Sequence, residues 1–191
     1  MNEALLEPIL RRWRIRRVSP VLKHFNKPTV LDIGCGPQAL FLKSIADKIN
    51  SGIGIDKKVD NKSFGNIETR RQRLTGVLPF SDESFEIVTM LAVLEHIEPS
   101  LTINLVQEIK RILKPSGRFV ITVPTQRAKP VLELLSYRLG IVSKLEISDH
   151  KKYYDKKDLF DLLYPCGFVV EYYHTFQLGF NSFCVVKKGH R

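Results

Sequence analysis

Cysteine is scarce in this chain. Three residues, Cys35, Cys166 and Cys184, are spread over 191 positions, and no two of them form a Cys-x-x-Cys pair. That argues against a disulfide framework and against a cysteine-built metal site, and no metal ligand set is expected. Long apolar runs are also missing, since nothing approaches the roughly 20 consecutive apolar residues of a membrane span. Glu3 and Glu7 interrupt the leucines at the start of the chain, so it lacks a continuous apolar signal core. The expectation is a soluble, cytoplasmic protein. There is no internal repeat and no low-complexity tract. With 43% hydrophobic and 26% charged residues the composition is that of an ordinary globular domain, and the length suits one core.

Acidic residues are the other shortage: 20 Asp and Glu face 30 Lys and Arg, a net charge of +10. The positive charge is clustered. Arg11, Arg12, Arg14, Arg16 and Arg17 form one group, Arg70, Arg71 and Arg73 a second, and Lys151, Lys152, Lys156 and Lys157 a third. Such a balance fits nucleic acid, an anionic membrane surface or an acidic substrate, and equally a basic but solvated surface. Residues 3–17 read as a helix, with Leu5, Leu6, Ile9, Leu10 and Trp13 at helical spacing and arginines on the other faces. It is expected either to cap the domain or to touch anionic membrane or substrate as a basic amphipathic helix.

Strand and helix patterns then alternate. Residues 29–33 read as a buried strand, 38–49 as a helix, 52–56 as a second strand, 66–70 as a third and 85–90 as a fourth. The stretch 57–63 has no helical period. Residues 99–113 read as a helix with Pro99 in its first turn, 115–117 as a turn and 118–123 as a fifth strand. Valine- and isoleucine-rich strands alternating with helices predict an α/β fold, a mostly parallel sheet covered on both faces. Near the end, Asp155 and Asp158 are spaced as a capping box, and Gly167 closes that helix. Residues 168–174 and 182–186 then follow with a connection short enough for an antiparallel pair.

The chemistry is concentrated in Val30-Leu31-Asp32-Ile33-Gly34-Cys35-Gly36-Pro37-Gln38-Ala39, with Asp56 closing the next apolar run. A strand, a glycine turn, a helix and a second strand ending in a carboxylate make a nucleotide-binding half-fold. Gly34-x-Gly36-x-x-Ala39 alone fits a dinucleotide fingerprint. Asp32 argues otherwise: a carboxylate two residues before the first glycine repels a pyrophosphate and welcomes a cation. S-adenosylmethionine carries an ammonium and no phosphate, and glycines let the backbone approach its amino-acid end. Asp56 is placed to accept both ribose hydroxyls.

Leu31-Asp32-Ile33-Gly34-Cys35-Gly36 resembles the first motif of class I S-adenosylmethionine-dependent methyltransferases, and Gly54-Ile55-Asp56 their second. Leu78-Pro79-Phe80, Ser84-Phe85-Glu86-Ile87-Val88 and Val93-Leu94-Glu95-His96-Ile97 resemble the middle region in order. Leu113-Lys114-Pro115-Ser116-Gly117 resembles the turn into strand five, and His150 with Gly167-Phe168 the C-terminal segment. The match runs over about residues 28–175 and is nearest to quinone, lipid and sugar methyltransferases.

This resemblance implies a Rossmann-like sheet of seven strands with the last antiparallel. It implies Asp32, Gly34, Cys35 and Gly36 at the methionine end, and Asp56 with its neighbour Lys57 at the ribose. Leu78 is implied near the adenine, and Met90 and Leu91 along the cleft. Two departures stand out. Gln38 replaces a frequent third glycine, and Arg73-Leu74-Thr75-Gly76-Val77 lacks the acid that often binds the adenine amino group. Adenine recognition then falls to backbone groups, Thr75 or apolar stacking, or binding is weaker.

Methyl transfer from a sulfonium is an in-line displacement that needs a base only for a hydroxyl or protonated amine. His96, beside Glu95, is the first candidate base and His150 the second; the alternative is that Glu95 and His96 orient the following helix. A short helix over 130–139 and the aromatics Tyr172, Tyr173, Phe176, Phe180 and Phe183 suit an amphiphilic acceptor. The expected layout is a single domain over 1–191. It comprises a basic helix and lead-in (1–27), a cofactor half (28–123), a substrate cover (124–150), and a last helix with final hairpin (151–191). The expected activity is methylation of a small, lipid-like or lipid-linked molecule. The alternatives are an RNA methyltransferase, or a fold that holds cofactor without catalysis. Against RNA stands the absence of an Asn/Asp-Pro-Pro-aromatic motif after strand four.

Overall fold

The computed structural model describes residues 7–130 and 151–189, with side chains from Arg12 onward. Helix α1 (Glu7–Leu22) leads into β1 (Thr29–Ile33), α2 (Leu40–Ile45), β2 (Ser51–Asp56), β3 (Lys62–Phe64), β4 (Ile67–Arg71) and β5 (Phe85–Leu91). Helix α3 (Pro99–Ile112), β6 (Leu113–Pro124), α4 (Lys156–Leu163), β7 (Phe168–Phe176) and β8 (Asn181–Lys188) complete the order. The strands form one sheet in the order β3-β4-β2-β1-β5-β6-β8-β7. β4, β2, β1, β5 and β6 run parallel; β8 is antiparallel to β6 and to β7, and β3 to β4. The antiparallel final hairpin and the mostly parallel sheet agree with expectation.

Alternation along the strands separates two cores. Leu31, Val88, Met90, Phe119, Ile121 and Cys184 point to the face covered by α3 and α4, where Leu105, Ile109, Leu159 and Leu163 meet them. Val30, Ile87, Val120, Phe183 and Val185 point to the other face, under α1 and α2. A sheet buried on both faces requires near-continuous apolar strands, which is what β5 and β6 are.

Several expectations shift. The sheet has eight strands instead of seven, because β3 pairs back on β4 at the edge, where the sequence showed no helical period. The helix expected over 38–49 is α2 alone, followed by a 3-10 turn at Ala46–Lys48. Ala39 delays its start, being left-handed at φ 47°. The expected turn 115–117 is a bulge within β6, where pairing with β5 jumps from Phe85↔Leu113 to Ile87↔Arg118. The capping box at Asp155 and Asp158 forms as spaced.

Helix α1 extends beyond the expected 3–17, through Pro20 to Leu22, and Ser19 Oγ donates to Ile15 O at 3.2 Å. Its packed face is Val18, Val21 and Leu22. Trp13, expected on the apolar stripe, is instead 47% exposed. The packing therefore supports the capping role of α1.

Candidate functional site

The carboxyl ends of β1, β2 and β5 bring the glycine loop and two carboxylates together. Asp32 lies on β1 between Gly54 of β2 and Thr89 of β5 in register. It is 3% exposed, and Thr89 Oγ1 donates to its Oδ1 at 2.6 Å. Burial pushes the Asp32 carboxyl up to about 7; the Thr89 hydroxyl works against that, and the charge of Asp56 adds to it. A carboxylate in this state gains most from an incoming cation.

Gly34 and Gly36 both take positive φ, 76° and 69°. A Cβ on Gly34 would fall 2.3 Å from Val93 Cγ2, so the segment after β5 is seated directly on the loop. Gly36 has open space at the same position, which leaves its backbone approachable. Gly34 N and Cys35 N donate to Ile55 O at 2.8 and 3.2 Å, fixing the loop over β2. Asp56 closes β2 with Oδ2 accepting from Gly36 N at 3.1 Å and Oδ1 from Lys58 N at 2.7 Å. One strand-ending acid thus shapes the loop and its own following turn with its two oxygens. Cys35 is buried over Gly54; burial first, then Asp32 and Asp56, raises its thiol far above the usual range, so it is no nucleophile.

The other expected residues divide into two groups. Met90 and Leu91 end β5 in register with Ile33 and beside Thr122, Met90 buried and Leu91 half-buried. Glu95 and His96 lie in a 3-10 turn, Leu94–His96, two and three residues past Val93. Glu95 is buried, its carbonyl accepts from Lys151 N at 2.7 Å, and its charge helps raise the Tyr154 phenol, after burial as the main cause and against a Thr102 hydrogen bond. Lys57 and Thr75 are exposed. Leu78 is buried in the α3 core. His150 and residues 131–139 of the expected short helix lie outside the described residues.

Sequence reasoning missed four contributors. Thr89 is the one polar residue in the buried run Ile87–Met90, a signal that was present. Val93 has no such mark. Arg111 and Glu108, on α3, hold the Leu78–Asp82 loop. Arg111 donates to Phe80 O at 2.8 Å, Leu78 O at 3.0 Å and Asp82 Oδ1 at 2.7 Å, while Glu108 Oε2 accepts from Leu78 N at 3.0 Å. Nothing local in an amphipathic helix announces a contact about thirty residues away.

Comparison with known proteins agrees with this geometry. A family model described as "Methyltransferase domain" matches residues 5–173. A ubiquinone/menaquinone biosynthesis C-methyltransferase, UbiE, of Desulfotalea psychrophila is 28% identical over 117 residues, 53% of this chain and 47% of that protein. The chain thus spans about half the length of this curated relative. A Haloferax volcanii methyltransferase, solved with the Trm112 methyltransferase activator, superposes with a TM-score of 0.73 at 18% identity, covering 94% of this chain and 91% of that one. Burkholderia thailandensis 1,6-didemethyltoxoflavin-N1-methyltransferase, solved with its substrate and S-adenosylhomocysteine, superposes at 0.67 with 17% identity, covering 93% and 79%. These two likenesses concern the fold. With the family match over most of its length, the chain belongs to the methyltransferase domain family and has the class I S-adenosylmethionine-dependent architecture.

Proposed function

We propose that the protein transfers a methyl group from S-adenosylmethionine to a small, lipid-like acceptor. The observation that carries the cofactor assignment is Asp32, a buried carboxylate raised to about 7 at the end of β1 with the Thr89 hydroxyl on one oxygen. That site fits an ammonium and rejects a phosphate. Asp32 would hold the amino group, Gly34 and Gly36 would admit the amino-acid portion, and Asp56 would accept the ribose hydroxyls. The Leu78–Asp82 loop, clamped by Arg111, would wall the adenine side with Thr75. S-adenosylmethionine supplies a methyl group already activated on a sulfonium. The protein's own work is then alignment and exclusion of water.

Where the acceptor carries a hydroxyl or an ammonium, His96 would take its proton and Glu95 would orient the turn that bears it. His96→Ala should then lower turnover and leave cofactor affinity unchanged. The lipid-like class is supported by the relative's role in ubiquinone/menaquinone biosynthesis. The test is methyl transfer from labelled cofactor into cell extract separated into lipid, water-soluble and RNA fractions. Label in the lipid fraction supports the proposal, label in RNA alone replaces the acceptor class, and no label in any fraction contradicts catalysis.

A further inference from the structure

On the sheet face under α1, away from the glycine loop, α1 and the β7–β8 edge leave a trough of about 880 Å³. That volume is in the range of about 300–1,000 Å³ typical of ligand sites. One row of α1, Trp13, Arg17 and Pro20, with His24 just past the helix end, forms a wall, and Tyr172 of β7 also lines the trough. Val21, Phe183 and Val185 line the space between. Trp13 is 47% and Tyr172 51% exposed, so two large rings stand half open around an apolar floor.

The charge is one-sided. Arg16 and Arg17 stand along the α1 wall, and His24 lies just past its end. Glu171 is the acid among the lining residues, and it is already paired with both Arg118 and Lys187. The trough therefore offers an apolar bed with a cationic margin. The floor of Val21, Phe183 and Val185 has no hydrogen-bonding side chain, so the edge of a nucleic-acid base laid there would stay unpaired. An alkyl chain has no such requirement.

We propose that this trough is a second binding site, separate from the cofactor cleft, for a single-chain anionic amphiphile taken up as a monomer. Its chain lies between Trp13 and Tyr172, and its carboxylate or phosphate head meets Arg16 and Arg17. The site needs no assumption about methyl transfer, because none of Asp32, Gly34, Gly36 and Asp56 lines it.

Trp13 is the chain's single tryptophan, so its fluorescence reports on the trough directly. The experiment titrates the full chain with dodecyl phosphate below its micelle concentration. Expected are a saturable blue shift, at least tenfold weaker binding of dodecanol, and at least tenfold weaker binding of dodecyl phosphate by Arg16→Glu and by Tyr172→Ala. Both variants should keep the wild-type circular dichroism and S-adenosylmethionine affinity. Any of four results overturns the proposal: no saturable shift, equal binding of dodecanol, a shift that appears only with anionic vesicles, or a shift with an oligouridylate and none with the amphiphile.

Discussion

Thr89 Oγ1 donates a 2.6 Å hydrogen bond to Asp32 Oδ1 from the neighbouring strand, in a site where Asp32 is 3% exposed. This contact tempers a carboxylate that burial alone would hold protonated to higher pH. Thr89→Val should therefore move the Asp32 titration upward from about 7. S-adenosylmethionine affinity at pH 7 should fall by about fivefold, for roughly one unit of movement, and recover at higher pH. Calorimetric titrations of both proteins across pH 6–9 check this.

The same carboxylate sets a stability cost in the unliganded protein. Its folded value lies above its unfolded one, so the stability it contributes is present at low pH and is lost as pH rises from about 4 to about 7. The loss amounts to at most about 4 kcal/mol. Asp32→Asn should flatten that decline and raise the melting temperature at pH 8, measured without cofactor. A variant that melts below wild type at pH 8 would contradict the burial account.

Gly34→Ala puts a methyl group 2.3 Å from Val93 Cγ2 at a φ of 76°. The strained backbone and the clash together should cost about 2–4 kcal/mol. Adding Val93→Ala should relieve the clash and leave the backbone strain, so denaturant unfolding should show partial recovery in the double variant. Full recovery would mean that φ at this position carries little cost.

At the opposite end of the parallel strands, Glu86 accepts from Thr29 N at 2.7 Å and pairs with Lys114. Burial pushes its carboxyl up, but Lys114 and Thr29 outweigh that and hold it below the usual value. The stability it provides is present above pH about 4.5 and disappears as pH falls through the folded value. Glu86→Gln should be less stable than wild type by about 1–2 kcal/mol at pH 7. The two should converge near pH 3 in urea unfolding.

The parallel half of the fold was legible because its strands are short apolar runs punctuated by glycine and acid. Gly34, Gly36, Asp32 and Asp56 could be placed for that reason, as could the box at Asp155 and Asp158. The edge strand β3 was not legible: Lys62-Ser63-Phe64 has one apolar residue, and its pairing with β4 is a tertiary event. The packed stripe of α1 was not legible, because helical spacing names a stripe without saying which stripe the sheet selects. The sheet took Val18, Val21 and Leu22. Arg111 was invisible for a related reason: two of its partners, the carbonyls of Leu78 and Phe80, leave no trace in side-chain identity, and Asp82 lies far from it in sequence.

In the proposed site Asp32 would receive the cationic amino-acid end of the cofactor. Calorimetry of wild type and Asp32→Asn with S-adenosylmethionine and with 5′-methylthioadenosine, which lacks that end, tests it most directly. Asp32→Asn should lose at least a hundredfold in S-adenosylmethionine affinity and bind 5′-methylthioadenosine unchanged. Unchanged S-adenosylmethionine affinity, or an equal loss for both ligands, would contradict it.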